Sequence, residues 1–453
     1  MDSDSSSRDS TATPSLKSSL RAIFRWKNYS VYLMTSWIFN GFLAVQTFLT
    51  LYLWTLGWDY LVLGSIISVT TVVAALSRLA GGYIGDVVDR KRLSVIAFLL
   101  ASIYFLIMGL SADFPLIVLA LMIYSVMDVV KGGSSAYIMD NIPKEHSGLG
   151  LSLFTAGKSF GIIALIAFWF LLPFASFVGT FQLLSLIGGI VLVLCTLVRA
   201  RYLTSSASTQ QAQDRSLRDF ISANSRAVRM VLAVMPGVML IALVDAMSDS
   251  LFRFGSLIYS SMFVGVSGIV VITLFPLLVS VPLVLKVGRI SDRYSIKRVG
   301  LLVYSVMPFS AALMFLASYI PYWAPSSIIE AANLAFSGLG AIFSMPFIAM
   351  ILKQVNDTLW WLVVLTVIQK KLPRSDTAKI LAVFWSVVYA CSSLSPFLGG
   401  LLFTYVAMSY LFLVVLALNI VILLAVWRGG LIAGDDNSDR AHNAPEKRDA
   451  SVD

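Results

Sequence analysis

Of the ionisable side chains inside the apolar runs of this 453-residue chain, eight stand out by their spacing and their helices. Asp128 and Lys131 share one run, three residues apart. Asp245, Asp249 and Arg253 follow at intervals of four in a second, Lys353 and Asp357 mark a third, and Lys158 stands in a fourth. On a helix, spacings of three and four place side chains on one face. An ion at mid-bilayer depth costs about 2.5 to 3.5 kcal/mol on insertion scales, so such residues face a partner or an aqueous cavity. Four acids (Asp128, Asp245, Asp249, Asp357) against four bases suit a cavity for a polar, zwitterionic or weakly charged solute, or ion pairs that exchange partners during a cycle. The bland alternative is that each pair is a fixed bridge between helices, and Asp128 with Lys131 can satisfy itself. For Asp245 and Asp249, two carboxylates one turn apart, the balance favours function, because a carboxyl that gains and loses a proton is what proton coupling needs. Both histidines, His146 and His442, lie outside the apolar runs, which leaves carboxylates to carry any proton. Asn40 and Gln46 add uncharged polar groups in the first run.

These residues need apolar elements to hold them. Apolar residues make up 58% of the chain and charged residues 13%, against roughly 25% charged in a soluble domain. A hydrocarbon core about 30 Å thick takes roughly 20 apolar residues per helix. Twelve such runs are present: 30–55, 60–85, 93–111, 115–140, 147–172, 177–198, 228–257, 264–287, 299–320, 344–371, 377–404 and 407–428, termed helices 1 to 12. They do not alternate as barrel strands would, so the expected fold is an all-α integral membrane protein. The expected domains are an N-tail (1–29), a six-helix bundle (30–200), a linker (201–227), a second six-helix bundle (228–430) and a C-tail (431–453).

Lys and Arg accumulate on the cytoplasmic side of membrane proteins. Of 33 basic residues, only Arg78, Lys131, Lys158, Arg253, Lys286 and Lys353 lie within helices; the other 27 fall on the tails, loops and helix ends of one face. That places both termini in the cytoplasm of a cell-membrane protein. The net charge of +9 is then a topology signal and implies no nucleic-acid partner. Cys195 and Cys391 both sit in apolar helices, which leaves no disulfide framework and no cysteine metal site. No nucleotide loop, metal-ligand cluster or nucleophile-base pair stands out, so neither an enzyme nor a cofactor is expected.

A signature recurs in the two halves. Gly82-Tyr-Ile-Gly-Asp86-Val-Val-Asp-Arg90-Lys91-Arg92 follows helix 2, and Gly288-Arg-Ile-Ser-Asp292-Arg293-Tyr-Ser-Ile-Lys297-Arg298 follows helix 8. Pro115 and Pro143 bracket helix 4 as Pro346 and Pro373 bracket helix 10. Six helices, a polar linker and six more with a matching signature describe a duplicated transporter. The signature resembles motif A of the major facilitator superfamily, with Val87 and Asp89 departing from its usual basic residue and glycine. The resemblance implies that Asp86 sits at the start of helix 11, that Arg90 pairs with Asp140, and that Lys91, Arg92 and the second copy (Gly288, Asp292, Arg293) share in a cytoplasmic gate. It also implies that helices 1, 4, 7 and 10 line a central cavity, and the charges single out three of those four unaided.

Other family signals are missing. Ala120 stands where proton-coupled exporters usually place the arginine of motif B, and Gly157 and Gly161 in helix 5 read as a packing face, without the pairs of motif C. Ser395-Pro396-Phe-Leu-Gly399-Gly400 in helix 11 reads mainly as a flexible break. An apolar insertion at 321–343 has no counterpart in the first half; it is expected to be interfacial or re-entrant, the rival being that it forms helix 10 itself. The expected function is alternating-access secondary transport of a small organic solute by a monomer in the lipid bilayer, proton-coupled and outward in direction. The alternatives are an uncoupled facilitator, a proton-coupled importer of a polar metabolite and, remotely, a non-transporting receptor.

Overall fold

The computed structural model describes residues 24–140, 153–154, 156–205, 222, 225–226, 228–229, 236–291, 296–371 and 377–429. Among these, all regular structure is helical, and one isolated bridge joins Tyr322 to Ser344. In hydrocarbon a backbone must satisfy its own polar groups, which a helix does within one segment.

Helix 1 comprises Lys27–Leu43, a 3-10 stretch Ala44–Phe48 and Leu49–Thr55. Helix 2 is Tyr60–Val87 and helix 3 is Arg90–Leu110. Helix 4 is broken at Met127 into Phe114–Val126 and Asp128–Asp140. Helix 5 runs through Gly157–Phe160 and Gly161–Leu171, and helix 6 is Phe177–Tyr202. Helices 7 and 8 form one run, Pro236–Ser291, interrupted at Gly265, where φ of 67° breaks the helix. Helix 9 comprises Ile296–Tyr304 and Val306–Leu316, and helix 10 is Met345–Lys371. Helix 11 is Thr377–Ser392 with Leu394–Tyr405, and helix 12 is Ser409–Trp427.

Nine described helices are long and apolar enough to cross a membrane. One of them, Pro236–Val279, contains the break at Gly265 and accounts for two spans. Helix 5 is shorter in its described part, and neither it nor helix 10 is among the nine. Together they make twelve. Pro115 and Pro346 both occupy the first turn of their helices, where a missing N–H costs nothing.

Close helix approaches are made by glycines. A Cβ on Gly81 would lie 2.4 Å from the Val129 carbonyl of helix 4, and one on Gly109 would lie 2.5 Å from the Leu186 nitrogen of helix 6. Gly161 meets Ala44 of helix 1, as a packing face should. The two halves meet where the start of helix 2 packs on helix 11: Gly64 of helix 2 lies against the Pro396 carbonyl, Gly400 lies against the Tyr60 carbonyl, and Phe397 N donates to Ser68 Oγ at 2.9 Å. The Ser395 to Gly400 stretch is therefore a contact surface between halves; the break itself lies just before it, at Ser393.

The insertion forms the helix Ser326–Ala335, with no buried residue, and a 3-10 turn Leu339–Phe343. Met345 N donating to Pro321 O (2.9 Å) and Trp323 N donating to Phe343 O (3.0 Å) close its base. Gly338, at φ of 82°, rests on the Ser267 backbone just past the Gly265 break, where a side chain would clash. Trp169 of helix 5 donates to Ser337 O at 3.0 Å and packs on Phe336. The ten-residue helix is too short to span, since roughly 20 residues are needed, and Met345–Lys371 is the spanning element. The insertion is a surface strap that joins the C-terminal half to helix 5, and the rival placement of helix 10 is not adopted.

Candidate functional site

The described acids of the apolar runs and the cations beside them fall into two clusters and one acid set apart. In the first half, the break at Met127 puts Asp128 in the first turn of the second segment of helix 4, where the positive end of the helix dipole favours an anion. Its main partner is on another helix: Arg78 Nε of helix 2 donates to Asp128 Oδ2 at 2.6 Å, while Lys131 Nζ stands 3.7 Å from Oδ1. Asp128 therefore keeps the i,i+3 ion pair with Lys131 and adds a shorter bond to Arg78, so the pair is not self-contained. The Arg78 guanidinium also lies 3.9 Å from the ring centroid of Tyr389 on helix 11.

In the second half, four charges form a closed ring across helices 7 and 10. Arg253 Nε donates to both oxygens of Asp249 (3.0 and 2.8 Å), and Arg253 Nη2 reaches Asp357 Oδ2 at 3.2 Å. Lys353 Nζ lies 2.5 Å from Asp249 Oδ1 and also contacts Asp357 Oδ1. Two pairs at i,i+4, one per helix, cross-link into a neutral square. The Arg253 side chain is 66% accessible.

Asp245 is different. Its Oδ1 accepts from Tyr304 Oη at 2.8 Å and its Oδ2 from Trp360 Nε1 at 3.0 Å, both neutral donors. No described cation lies within ion-pair reach of it. Behind it, Tyr304 Oη is 3.0 Å from Asn419 Oδ1, and Ser248 Oγ donates to the same oxygen at 2.9 Å. The Asp245 and Asp249 pair read from sequence is therefore split: Asp249 belongs to the ring, and Asp245 to a chain of neutral groups.

The Major Facilitator Superfamily profile matches residues 28–358, more than half of the chain. The chain belongs to this superfamily. The nucleoside transporter NupG, in a point-mutant form, superposes with a TM-score of 0.69 at 14% identity, covering 88% of this chain and 99% of NupG. A POT family transporter in complex with 5-aminolevulinic acid gives 0.62 at 14% identity, covering 88% and 94%. The xylose transporter XylE from E. coli, in an inward open conformation, gives 0.60 at 12% identity, covering 88% and 95%. At such identities the likeness shows the fold alone. Among curated protein sequences no significant match was found. The protein is a multi-pass membrane transporter and not an enzyme.

Of the superfamily's gate motif, Asp89 is the part whose role is described: it caps helix 3 by accepting from Lys91 N at 3.1 Å, so an acid replaces the usual glycine without disturbing the turn. Gly82 lies in helix 2, yet it is its neighbour Gly81 that packs on helix 4. Arg90, Lys91 and Arg92 form the first turn of helix 3. The side chains of Asp86, Asp140 and Lys158, and residues Asp292 and Arg293, lie outside the described parts, and with them the expected contacts of Asp86 with helix 11 and of Arg90 with Asp140; Gly288 is described only as helical backbone. Gln46 accepts from Tyr104 Oη within the first half, away from the charges. Asn40 lines a pocket with Lys131.

Arg199 was not among the sequence candidates. As the fourth residue from the end of helix 6 it reads as a topological charge, but its side chain is fully buried. It donates to Thr35 Oγ1 (2.8 Å), Ser94 Oγ (2.6 Å), Ser36 Oγ (2.7 Å) and Tyr32 O (3.1 Å), and its guanidinium lies 3.5 Å from the Phe98 centroid. Its described partners are all neutral. The legible signal was a patch of small hydroxyls on helices 1 and 3, Thr35, Ser36 and Ser94, in otherwise apolar segments.

Proposed function

We propose that the protein is a proton-coupled secondary transporter that exports a small organic solute by alternating access, acting as a monomer in the cell membrane with both tails in the cytoplasm. One observation carries the coupling: among the described residues Asp245 is held by the neutral donors Tyr304 and Trp360, whereas Asp128, Asp249 and Asp357 each have a cation. A proton arriving at a ring acid must displace a basic partner. A proton arriving at Asp245 neutralises a lone intramembrane charge, which is costly while it persists. Asp245 is thus the proton carrier, and the ring beside it, one turn away at Asp249, responds to its charge. Export rests on the strong first copy of the gate motif, and the orientation on the basic residues gathered on one face.

The test is a metabolite screen with the purified full chain in sealed vesicles, run with and without an imposed pH gradient. Uptake that follows the gradient supports coupling. Movement indifferent to the gradient establishes an uncoupled facilitator, and binding without movement a receptor.

A further inference from the structure

We propose that the transported solute carries an oxyanionic group, a carboxylate or a phosphate, and that Lys131 receives it in a pocket of the first half. The proposal rests on the transporter reading above but not on proton coupling. The two halves differ in charge. In the ring, two acids meet two bases. In the first half two described intramembrane cations, Arg78 and Lys131, share one described carboxylate, Asp128, with Arg78 the nearer at 2.6 Å, and the buried Arg199 stands close by with neutral described partners.

Lys131 is left beyond hydrogen-bond reach of Asp128, at 3.7 Å, with 42% of its side chain accessible. It lines a pocket with Tyr32, Ser36, Asn40, Phe98 and Ser134. Arg199 stands directly behind that wall: its Nη2 donates to Ser36 Oγ, and its guanidinium packs on Tyr32 and Phe98. With its oxygen accepting from a cationic donor, Ser36 has its hydroxyl proton to give, and Ser36 lines the pocket. Lys131 therefore offers a charge, Ser36 a polarised hydroxyl and Asn40 an amide, all of which can donate to the oxygens of one oxyanion. Arg199, whose described partners are all neutral, adds a positive charge in a low-dielectric wall, where its field is weakly screened. Asp128 is shared between Arg78 and Lys131; cations in such excess are costly inside the membrane, and an anionic solute is the group that offsets that cost.

The experiment is thermal melting of the detergent-purified full chain with acetate, succinate, benzoate, inorganic phosphate and glycerophosphate. Each organic anion is set beside its neutral counterpart (acetamide, succinamide, benzamide, glycerol), at constant ionic strength. We expect at least one anion, and no neutral counterpart, to raise the melting temperature, and the carboxylate and phosphate arms to tell which oxyanion is taken. Lys131→Gln should weaken the half-saturating concentration by about 10- to 100-fold, the loss of one charge-assisted hydrogen bond, and Lys131→Arg should keep most of it. No stabilising anion, equal stabilisation by a neutral counterpart, or an anion effect that survives Lys131→Gln would each overturn the proposal. The readout is binding without a gradient, so it stands or falls separately from the role of Asp245.

Discussion

Replacing Lys353 by Met removes the ammonium that touches both Asp249 and Asp357. Lys353 is 5% exposed and its two partners 32% and 26%, so its side of the ring is shielded from water, while Arg253, at 66%, is accessible. Taking one partner from a buried ion pair costs about 3 to 5 kcal/mol. Arg253 stays in contact with both carboxylates, which favours the lower end, about 3 kcal/mol. Asp357→Asn alone leaves two bases on one acid, at a cost of about 2 kcal/mol on the same principle. The double variant is neutral again, with Arg253 facing Asp249, and should cost about 2 kcal/mol, well below the sum of the singles. Reversible unfolding of the full chain in mixed micelles, by titration with dodecyl sulfate, measures all three. Single costs that add to within about 0.5 kcal/mol would mean that the four charges do not act as a ring, and would refute the reasoning.

Two further outcomes follow from contacts between the halves. Gly64→Leu drives a side chain into the Pro396 carbonyl; overpacking of this kind costs about 1 to 3 kcal/mol and should shift the population by about 5- to 100-fold towards a state open at that contact. Spin labels at Asp59 and Ala407 in a Cys391→Ser background should report a longer distance, and an unchanged distance distribution would count against helices 2 and 11 as the seal. Trp169→Ala removes the hydrogen bond to Ser337 and the contact with Phe336, together worth about 1 to 3 kcal/mol. Hydrogen exchange across 326–339 should quicken, and unaltered protection would show that Trp169 does not hold the strap.

Hydropathy alone located the twelve spans, because the hydrocarbon core imposes a length that apolar runs reveal. It also pointed to helices 4, 7 and 10, since ionisable residues in such runs are rare enough to be conspicuous. What it could not reach were partners on other helices. Arg78 lies 50 residues from Asp128, and Tyr304 and Trp360 lie 59 and 115 residues from Asp245, and no local spacing joins them. Arg199 was disguised by its place near a helix end, where basic residues normally serve orientation. The insertion was ambiguous because its composition matches that of a span, and only its ten-residue helix, fixed at both ends, decides against one.

The central claim is that Asp245 carries the coupled proton. Proteoliposomes of the full chain, loaded with a pH-sensitive dye and given the solute identified by the vesicle screen, report proton movement directly. The wild type should show solute-evoked proton flux opposite to solute movement, and Asp245→Asn should keep solute exchange across the membrane while losing that flux. Solute-evoked proton flux of wild-type size in Asp245→Asn would contradict the account.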